Sequence, residues 1–311
     1  MKLDNIIKKK YLDIDYNDLS KKYNNNIPFP HINFQSFFDD DFILNISKKF
    51  PDLQKQHSYE KKDVNEKKFG LRDIYKYPFE IREFIQFLNS ETFLNYLNLI
   101  TGIKETLIPD PYLYGGGLHQ ILKGGYLKIH SDFYLHPKMK LDRRLNLLIY
   151  LNKNWNESYG GALELWDKDM KMCKKKIYPY LNNVCIFSTD HKSYHGHPDP
   201  LNCPENMTRN SIALYYYSVG RSDSETVYKD KNTTNWKNRP KSTEVKNNYN
   251  LEKIKNYRGS RIFISAHIGN WELTRNFILR NGFTLHSVYR HANNEKVDNY
   301  IQKYRKNDNA F

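Results

Sequence analysis

Two histidines, a carboxylate and an arginine stand in an order suited to chemistry on a bound metal. His130-Ser131-Asp132 is followed further on by His195, and then by Arg209. Residues two apart in a strand face the same way. His130 and Asp132 therefore present an imidazole nitrogen and a carboxylate oxygen to one point. His195 as third donor completes a facial set of two histidines and one carboxylate, which leaves three positions of an octahedral Fe(II) open. By the same parity His197 is a rival for the third place. The triplet alone is a weak signal, because 11 histidines make chance HxD spacings easy. Its weight comes from its surroundings.

Holding such a set in place requires strands. From 112 to 219 the apolar period is two, and segments 124–132, 145–151, 161–166, 183–188 and 211–219 are short and bounded by Gly, Pro, Asn or Asp. Five or more strands with little helix between them predict a sandwich or barrel, not a doubly wound sheet. Ahead of them, 28–34 reads as a short strand and 39–49 as an amphipathic helix stopped at Pro51. Residues 79–101, from Phe79 and Ile81 to Leu97, repeat with helical spacing, while 54–72 is charged and reads as loop. The fold class is mainly β, with an N-terminal helical buttress. The expected organisation is a polar lead-in at 1–27, a core domain at 28–243, a linker at 244–258 and a small α/β segment at 259–311.

Composition excludes several classes. The 311 residues carry 49 Lys+Arg against 35 Asp+Glu, a formal charge of +14. The basic residues are scattered among Asn- and Tyr-rich stretches, so the charge reads as compositional drift, and a nucleic-acid partner is disfavoured. Aromatics at 15% argue against global disorder. No run approaches the ~18–20 apolar residues of a membrane span. The start is basic but lacks an apolar stretch, so no signal peptide is expected. Cys173, Cys185 and Cys203 have no CxxC spacing and cannot all pair, which predicts a reducing, cytoplasmic setting.

The residues around the triplet carry a resemblance. Gly124-Gly125 precede it, and Arg144-Leu145-Asn146 through Asn152, Gly160-Gly161, Phe187-Ser188 and Ser193-Tyr194-His195 follow. Arg209-Asn210-Ser211 comes last, with a leading Phe29-Pro30-His31-Ile32 and a tail Thr233-Thr234-Asn235-Trp236-Lys237-Asn238-Arg239-Pro240. In this order they resemble the iron(II)/2-oxoglutarate-dependent oxygenases, in the branch of the prolyl 4-hydroxylases. The resemblance covers about residues 28–240 and implies a double-stranded β-helix, or jelly roll. It implies His130, Asp132 and His195 as catalytic iron ligands and favours His195 over His197. It also implies Arg209 as the grip on the distal carboxylate of 2-oxoglutarate, an anion that the planar guanidinium fork suits. Ser211 shares the face of Arg209. Tyr126, four residues before His130, is expected on the same face, toward 2-oxoglutarate or substrate. The implied reaction consumes O2 and 2-oxoglutarate, releases succinate and CO2, and hydroxylates a C–H bond of a protein side chain or small molecule. Ascorbate is the implied accessory reductant. The nucleic-acid demethylases of the superfamily usually carry a second arginine six residues after the first, where this chain has Tyr215. A catalytically inactive jelly-roll binding module is the other alternative, and the intact set of four residues argues against it.

A second resemblance lies near the C-terminus. Arg261-Ile262-Phe263-Ile264-Ser265, His267, Glu272, Gly282-Phe283, Arg290, Asn293-Asn294 and Asp298 resemble the lysophospholipid-type acyltransferases, nearest to those that acylate lipid A. That resemblance implies His267 as the base for an acceptor hydroxyl, Glu272 as its orienting carboxylate and Arg290 near phosphate. About 50 residues cannot enclose an acyl chain, so a fused or truncated acyltransferase fragment is expected there, not a second enzyme.

Overall fold

The two-residue period of the chain's middle builds antiparallel strands whose two faces are buried for different reasons. A computed structural model describes residues 2–221 and 233–240. The chain divides into two compact units, Met1–Thr243 and Glu244–Phe311. The linker expected at 244–258 and the segment at 259–311 lie outside the described residues.

Helices come first and strands later. The helices are α1 (Tyr16–Asn25), α2 (Asp40–Lys48), α3 (Phe79–Leu88) and α4 (Glu91–Thr101). The early strands are β1 (His31–Phe34), β2 (Tyr59–Lys62), β3 (Glu66–Leu71) and β4 (Ile108–Pro109). There follow β5 (Gly117–Ile121), β6 (Tyr126–Ser131), β7 (Asp142–Tyr150), β8 (Leu163–Trp166) and β9 (Cys173–Ile177). Then come β10 (Val184–Ser188), β11 (His195–His197), β12 (Arg209–Ser218) and β13 (Asn235–Trp236). The sheet runs β1-β10-β7-β12-β5-β3-β6-β11-β8-β9, with β13 on β6, β2 on β3 and β4 on β12. It is one antiparallel, nearly closed, barrel-like sheet of the jelly-roll kind. Phe29, Tyr150, Cys185 and Phe187 pack on Leu163, Leu165 and Ile177, which joins β7 and β10 to the far end of the strand path.

Alternation sorts the residues. Leu145, Leu147 and Ile149 of β7, with Ile212, Leu214 and Tyr216 of β12, point outward into one core with Ile81, Phe84, Phe93 and Leu97 of the helices. Asn146 and Tyr150 of β7, with Arg209, Ser211 and Tyr215 of β12, point the other way, into a cavity. Truncating Leu147, fully buried under the helices, to Ala would cost about 2–5 kcal/mol through lost burial and the hole left behind.

The helices start where capping side chains satisfy free amides. Asp39 accepts from the Phe42 amide at 2.9 Å, and Ser90 caps α4. The helical spacing over 79–101 is realised as two helices broken at Asn89-Ser90. Residues 1–27, polar in composition, still add Leu19 and Tyr23 of α1 to the core beneath the sheet. The charged run at 54–72 is not loop throughout: 59–62 and 66–71 pair as a hairpin. Phe69 and Leu71 at its end reach the core, but the rest of its side chains are mostly charged, so no apolar alternation marks it as β.

Among the described residues no helix is long and apolar enough to cross a membrane. The three cysteines are unpaired.

Candidate metal and co-substrate site

The cavity opens between β5, β6, β7, β11 and β12, has a volume of 410 Å³, and holds every metal-ligand candidate of the HxD set. β11 pairs with β6 so that His195 stands opposite His130. One ligand atom from each of His130, Asp132 and His195 lies within 4.8 Å of the others, and all three residues are buried. His130 Nε2 is 3.6 Å from Asp132 Oδ1, and His195 Nε2 is 3.4 Å from Asp132 Oδ2. His197 does not join this group among the described residues.

Each donor is held by a neighbour. His130 Nδ1–H donates to the Lys128 carbonyl, and His195 Nδ1–H to the Ser193 carbonyl, both at 2.8 Å. Those bonds fix the tautomer and turn both Nε2 lone pairs to the centre. Burial, partly offset by Asp132, drives His195 down to about 4, so the ring is neutral at physiological pH. Asp132 Oδ2 accepts from Asn146 Nδ2 at 2.8 Å and pairs with the Arg143 guanidinium at 3.0 Å. Burial alone would raise this carboxyl; Arg143 and the two histidines overcome it and hold the group well below the usual carboxylate range. Arg143 is itself fixed by its Nε bond to Asn146 Oδ1 at 2.9 Å and lies over the Tyr215 ring at 3.5 Å.

Two bulges aim these side chains. Between His195 and His197 the register on β6 shifts, so that His197 pairs with Leu127 and Gly196 faces two residues of β6. A Cβ at Gly196 would lie 2.6 Å from the Lys128 carbonyl oxygen, so only glycine lets the strands approach there. A second shift at Tyr216/Tyr217, opposite Arg144, lets Arg143 share the cavity face with Asn146, an odd number of residues away. Bulges commonly re-aim side chains beside active sites.

Arg209 is buried, and its Nε donates to the Gly161 carbonyl at 2.8 Å. Gly161 has φ +72°, and a Cβ there would press on Leu201 and the Arg209 side chain. The guanidinium faces the Tyr150 ring at 5.0 Å, and no carboxylate pairs with it among the described residues. Ser211 lines the same cavity. Tyr126 does not: its hydroxyl donates to the Asp63 carbonyl at 2.8 Å, and Leu127 lines the cavity in its place. The first bulge is the reason, since it breaks the parity counted back from His130. His267, Glu272 and Arg290 lie outside the described residues.

The site contains groups that motif spacing did not reveal. Asn146 and Arg143 support the carboxylate; the available signal was a polar residue inside the apolar run 145–151. Trp236 of β13 lies against the His130 ring at 4.8 Å between centroids. The segment carrying it is tied down by Arg239, which pairs with Asp199 at 2.6 Å and with the buried Glu164 at 3.0 Å. His119 of β5 lines the cavity and is hydrogen-bonded to Tyr59 at 3.1 Å. Two imidazoles and a carboxylate on one face form an N/O donor set without thiolate, which fits Fe(II) with open positions.

Comparison with known proteins bears on the same stretch. The family model for the 2OG-Fe(II) oxygenase superfamily matches residues 116–217. The model for bacterial lipid A biosynthesis acyltransferase matches residues 211–310, so the two overlap on β12. Among solved structures, a Pseudomonas putida prolyl-4-hydroxylase is 12% identical over 65% of this chain and 100% of its own, with a TM-score of 0.46. A Trichoplax adhaerens prolyl hydroxylase, in complex with a hypoxia inducible factor oxygen degradation domain peptide fragment, is 18% identical over 65% of this chain and 89% of its own, at 0.43. HygX from Streptomyces hygroscopicus, with nickel, 2-oxoglutarate and hygromycin B bound, is 11% identical over 60% and 82%, at 0.42. The stretch that carries His130, Asp132, His195 and Arg209 thus resembles the 2OG-Fe(II) oxygenase superfamily, and the C-terminal part resembles the lipid A acyltransferases.

Proposed function

We propose that the domain is an Fe(II)- and 2-oxoglutarate-dependent dioxygenase that hydroxylates a C–H bond of a protein side chain, in the manner of a prolyl hydroxylase, or of a small molecule. The observation that carries this reading is the triad itself: three buried donors within 4.8 Å, each oriented by its own hydrogen bond. His130, Asp132 and His195 would hold the metal. With 2-oxoglutarate, the bound iron supplies O2 activation coupled to loss of CO2 and formation of succinate.

The chain's own residues do the rest. His195 offers a neutral nitrogen and Asp132 an ionised oxygen, and the Nε2 of His130 faces them. Arg143 and Asn146 keep the carboxylate from swinging toward either imidazole. Arg209 holds the distal carboxylate of 2-oxoglutarate, with Ser211 beside it. Phe187 packs edge-on against the His195 ring at 4.7 Å, and Trp236 covers His130. Together they cover two sides of the centre, and the partly exposed Tyr114 lines the same cavity. Ascorbate serves as an accessory reductant, and the unpaired cysteines support a cytoplasmic setting.

We read residues 259–311 as a fused acyltransferase remnant. His267→Ala with Glu272→Ala should therefore leave succinate production unchanged.

The test is anaerobic titration with Fe(II) and then 2-oxoglutarate, following the weak visible charge-transfer band of the chelated co-substrate. The band should form in the wild type and, at saturating 2-oxoglutarate, in His197→Ala, and vanish in His195→Ala. A wild type that takes up Fe(II) yet gives no band would defeat the reading.

A further inference from the structure

One buried group in the cavity has no task in this mechanism. His197 is 2% exposed, and neither ring nitrogen has a hydrogen-bond partner among the described residues. A buried polar group left unmade costs about 1–3 kcal/mol, and native proteins rarely retain one without a use. Packing alone would be served better by an aliphatic side chain of similar size.

The geometry excludes the metal and indicates the other end of the cavity. The donor cluster is complete without His197. Strand β11 places His195 and His197 on one face, and the bulge sets His197 opposite Leu127, further along β6 from the metal ligands. Arg209 and Lys68 line the same cavity. An imidazole carries at least one N–H in either protonation state. No acceptor among the described residues reaches either nitrogen, and the cavity side of the ring is shared with Arg209 and Lys68, so an anion bound there would meet that N–H.

We propose that His197 binds the co-substrate, donating a hydrogen bond to the same distal carboxylate that Arg209 grips, with Ser211 as a further contact. This rests on the dioxygenase reading above. It makes the inner end of the cavity a three-residue carboxylate subsite and His197 a residue that selects a 2-oxo dicarboxylic acid over a 2-oxo monocarboxylic acid. Selection follows from the physics of unmade bonds: an acid lacking the distal carboxylate leaves Arg209 and His197 buried without a partner.

The experiment uses full-length protein loaded with Mn(II) and measures binding of 2-oxoglutarate and of 2-oxopentanoate, which lacks the distal carboxylate. His197→Val should weaken 2-oxoglutarate about 10- to 100-fold, the range of one hydrogen bond to a charged group. Affinity for Mn(II) and for 2-oxopentanoate should stay unchanged, and His197→Gln, which keeps an N–H donor, should recover part of the loss. Equal weakening of both acids would make His197 a packing residue and overturn the proposal. So would full 2-oxoglutarate affinity in His197→Val while Arg209→Ala is crippled, because His197 would then be satisfied by water. If wild type and Arg209→Ala bound 2-oxoglutarate alike, or neither bound it, the dioxygenase reading would fall and the proposal with it.

Discussion

The two ends of the cavity are built on opposite plans. At the metal end, every ligand is tied to the protein: His130 to Lys128, His195 to Ser193, and Asp132 to Asn146 and Arg143. At the inner end, among the described residues, Arg209 gives its Nε to Gly161 and faces Tyr150, and His197 has no hydrogen-bond partner. A centre that needs three donors in fixed relation gains from locking them before the metal arrives. A subsite for a consumable acid gains from the reverse, since each polar group left without a protein partner adds to the ligand's own binding. The contrast separates scaffold from recognition within a single cavity.

The sharpest way to break the comparison is at its tied end. Asp132→Ala should abolish metal binding and succinate production together. It should also destabilise the metal-free fold by about 3–5 kcal/mol, because Arg143 remains buried without its counter-ion. Metal titration and thermal melts of the metal-free variant check both parts; full turnover would show the triad assignment to be wrong. At the inner end, Arg209→Ala should weaken 2-oxoglutarate by about 100-fold or more through loss of a charge-assisted pair. Metal affinity should stay intact, since Arg209 touches no ligand. Loss of metal there would show that the two ends are not separable. A smaller effect is expected from Asn146→Ala, which frees one oxygen of Asp132. Metal affinity should fall by about 10- to 100-fold, as for other groups that orient a ligand, with 2-oxoglutarate affinity in the metal-saturated variant little changed.

How much of this the sequence discloses depends on where strands are regular. Simple parity pairs His130 with Asp132 and Arg209 with Ser211, whereas His195 and Arg209 themselves were legible through the family resemblance. The same parity assigned Tyr126 to the site, and the bulge opposite Gly196 sent its hydroxyl to Asp63 instead. Arg143 escaped notice for the matching reason, since the shift opposite Arg144 restores it to the face of Asn146. A one-residue slip leaves no mark in composition. The helical buttress was legible from apolar spacing, whereas the hairpin of β2 and β3 was not, because charged residues fill most of it and Phe69 and Leu71 reach the core only at its end. His197 appeared in the sequence as a competitor for iron; only burial and the absence of any partner among the described residues point it elsewhere.

Acid acts on the buried carboxylate and on the buried imidazoles in different pH windows. Asp132 is held below its ordinary value, so its contribution to stability is present above about pH 3.9, its unfolded value, and is lost only as pH falls below that. His119, at the inner end, is displaced downward too; the sign is the same, and only the pH window differs. Burial, with Lys68 and Arg209 nearby, keeps it neutral in the fold, while the unfolded chain takes up a proton below about 6.5. The unfolded state therefore binds more protons below that value, and stability falls as pH drops through it. His195, lowered to about 4, adds to the same window in metal-free protein. Melting of the metal-free protein between pH 7.5 and 5, values set about the imidazole range, should show a steady loss of stability to which the carboxylate contributes nothing. His119→Gln can keep the hydrogen bond to Tyr59 but cannot titrate. It should flatten the slope by up to about 1.4 kcal/mol per pH unit, and an unchanged slope would mean that His119 is already protonated in the folded cavity.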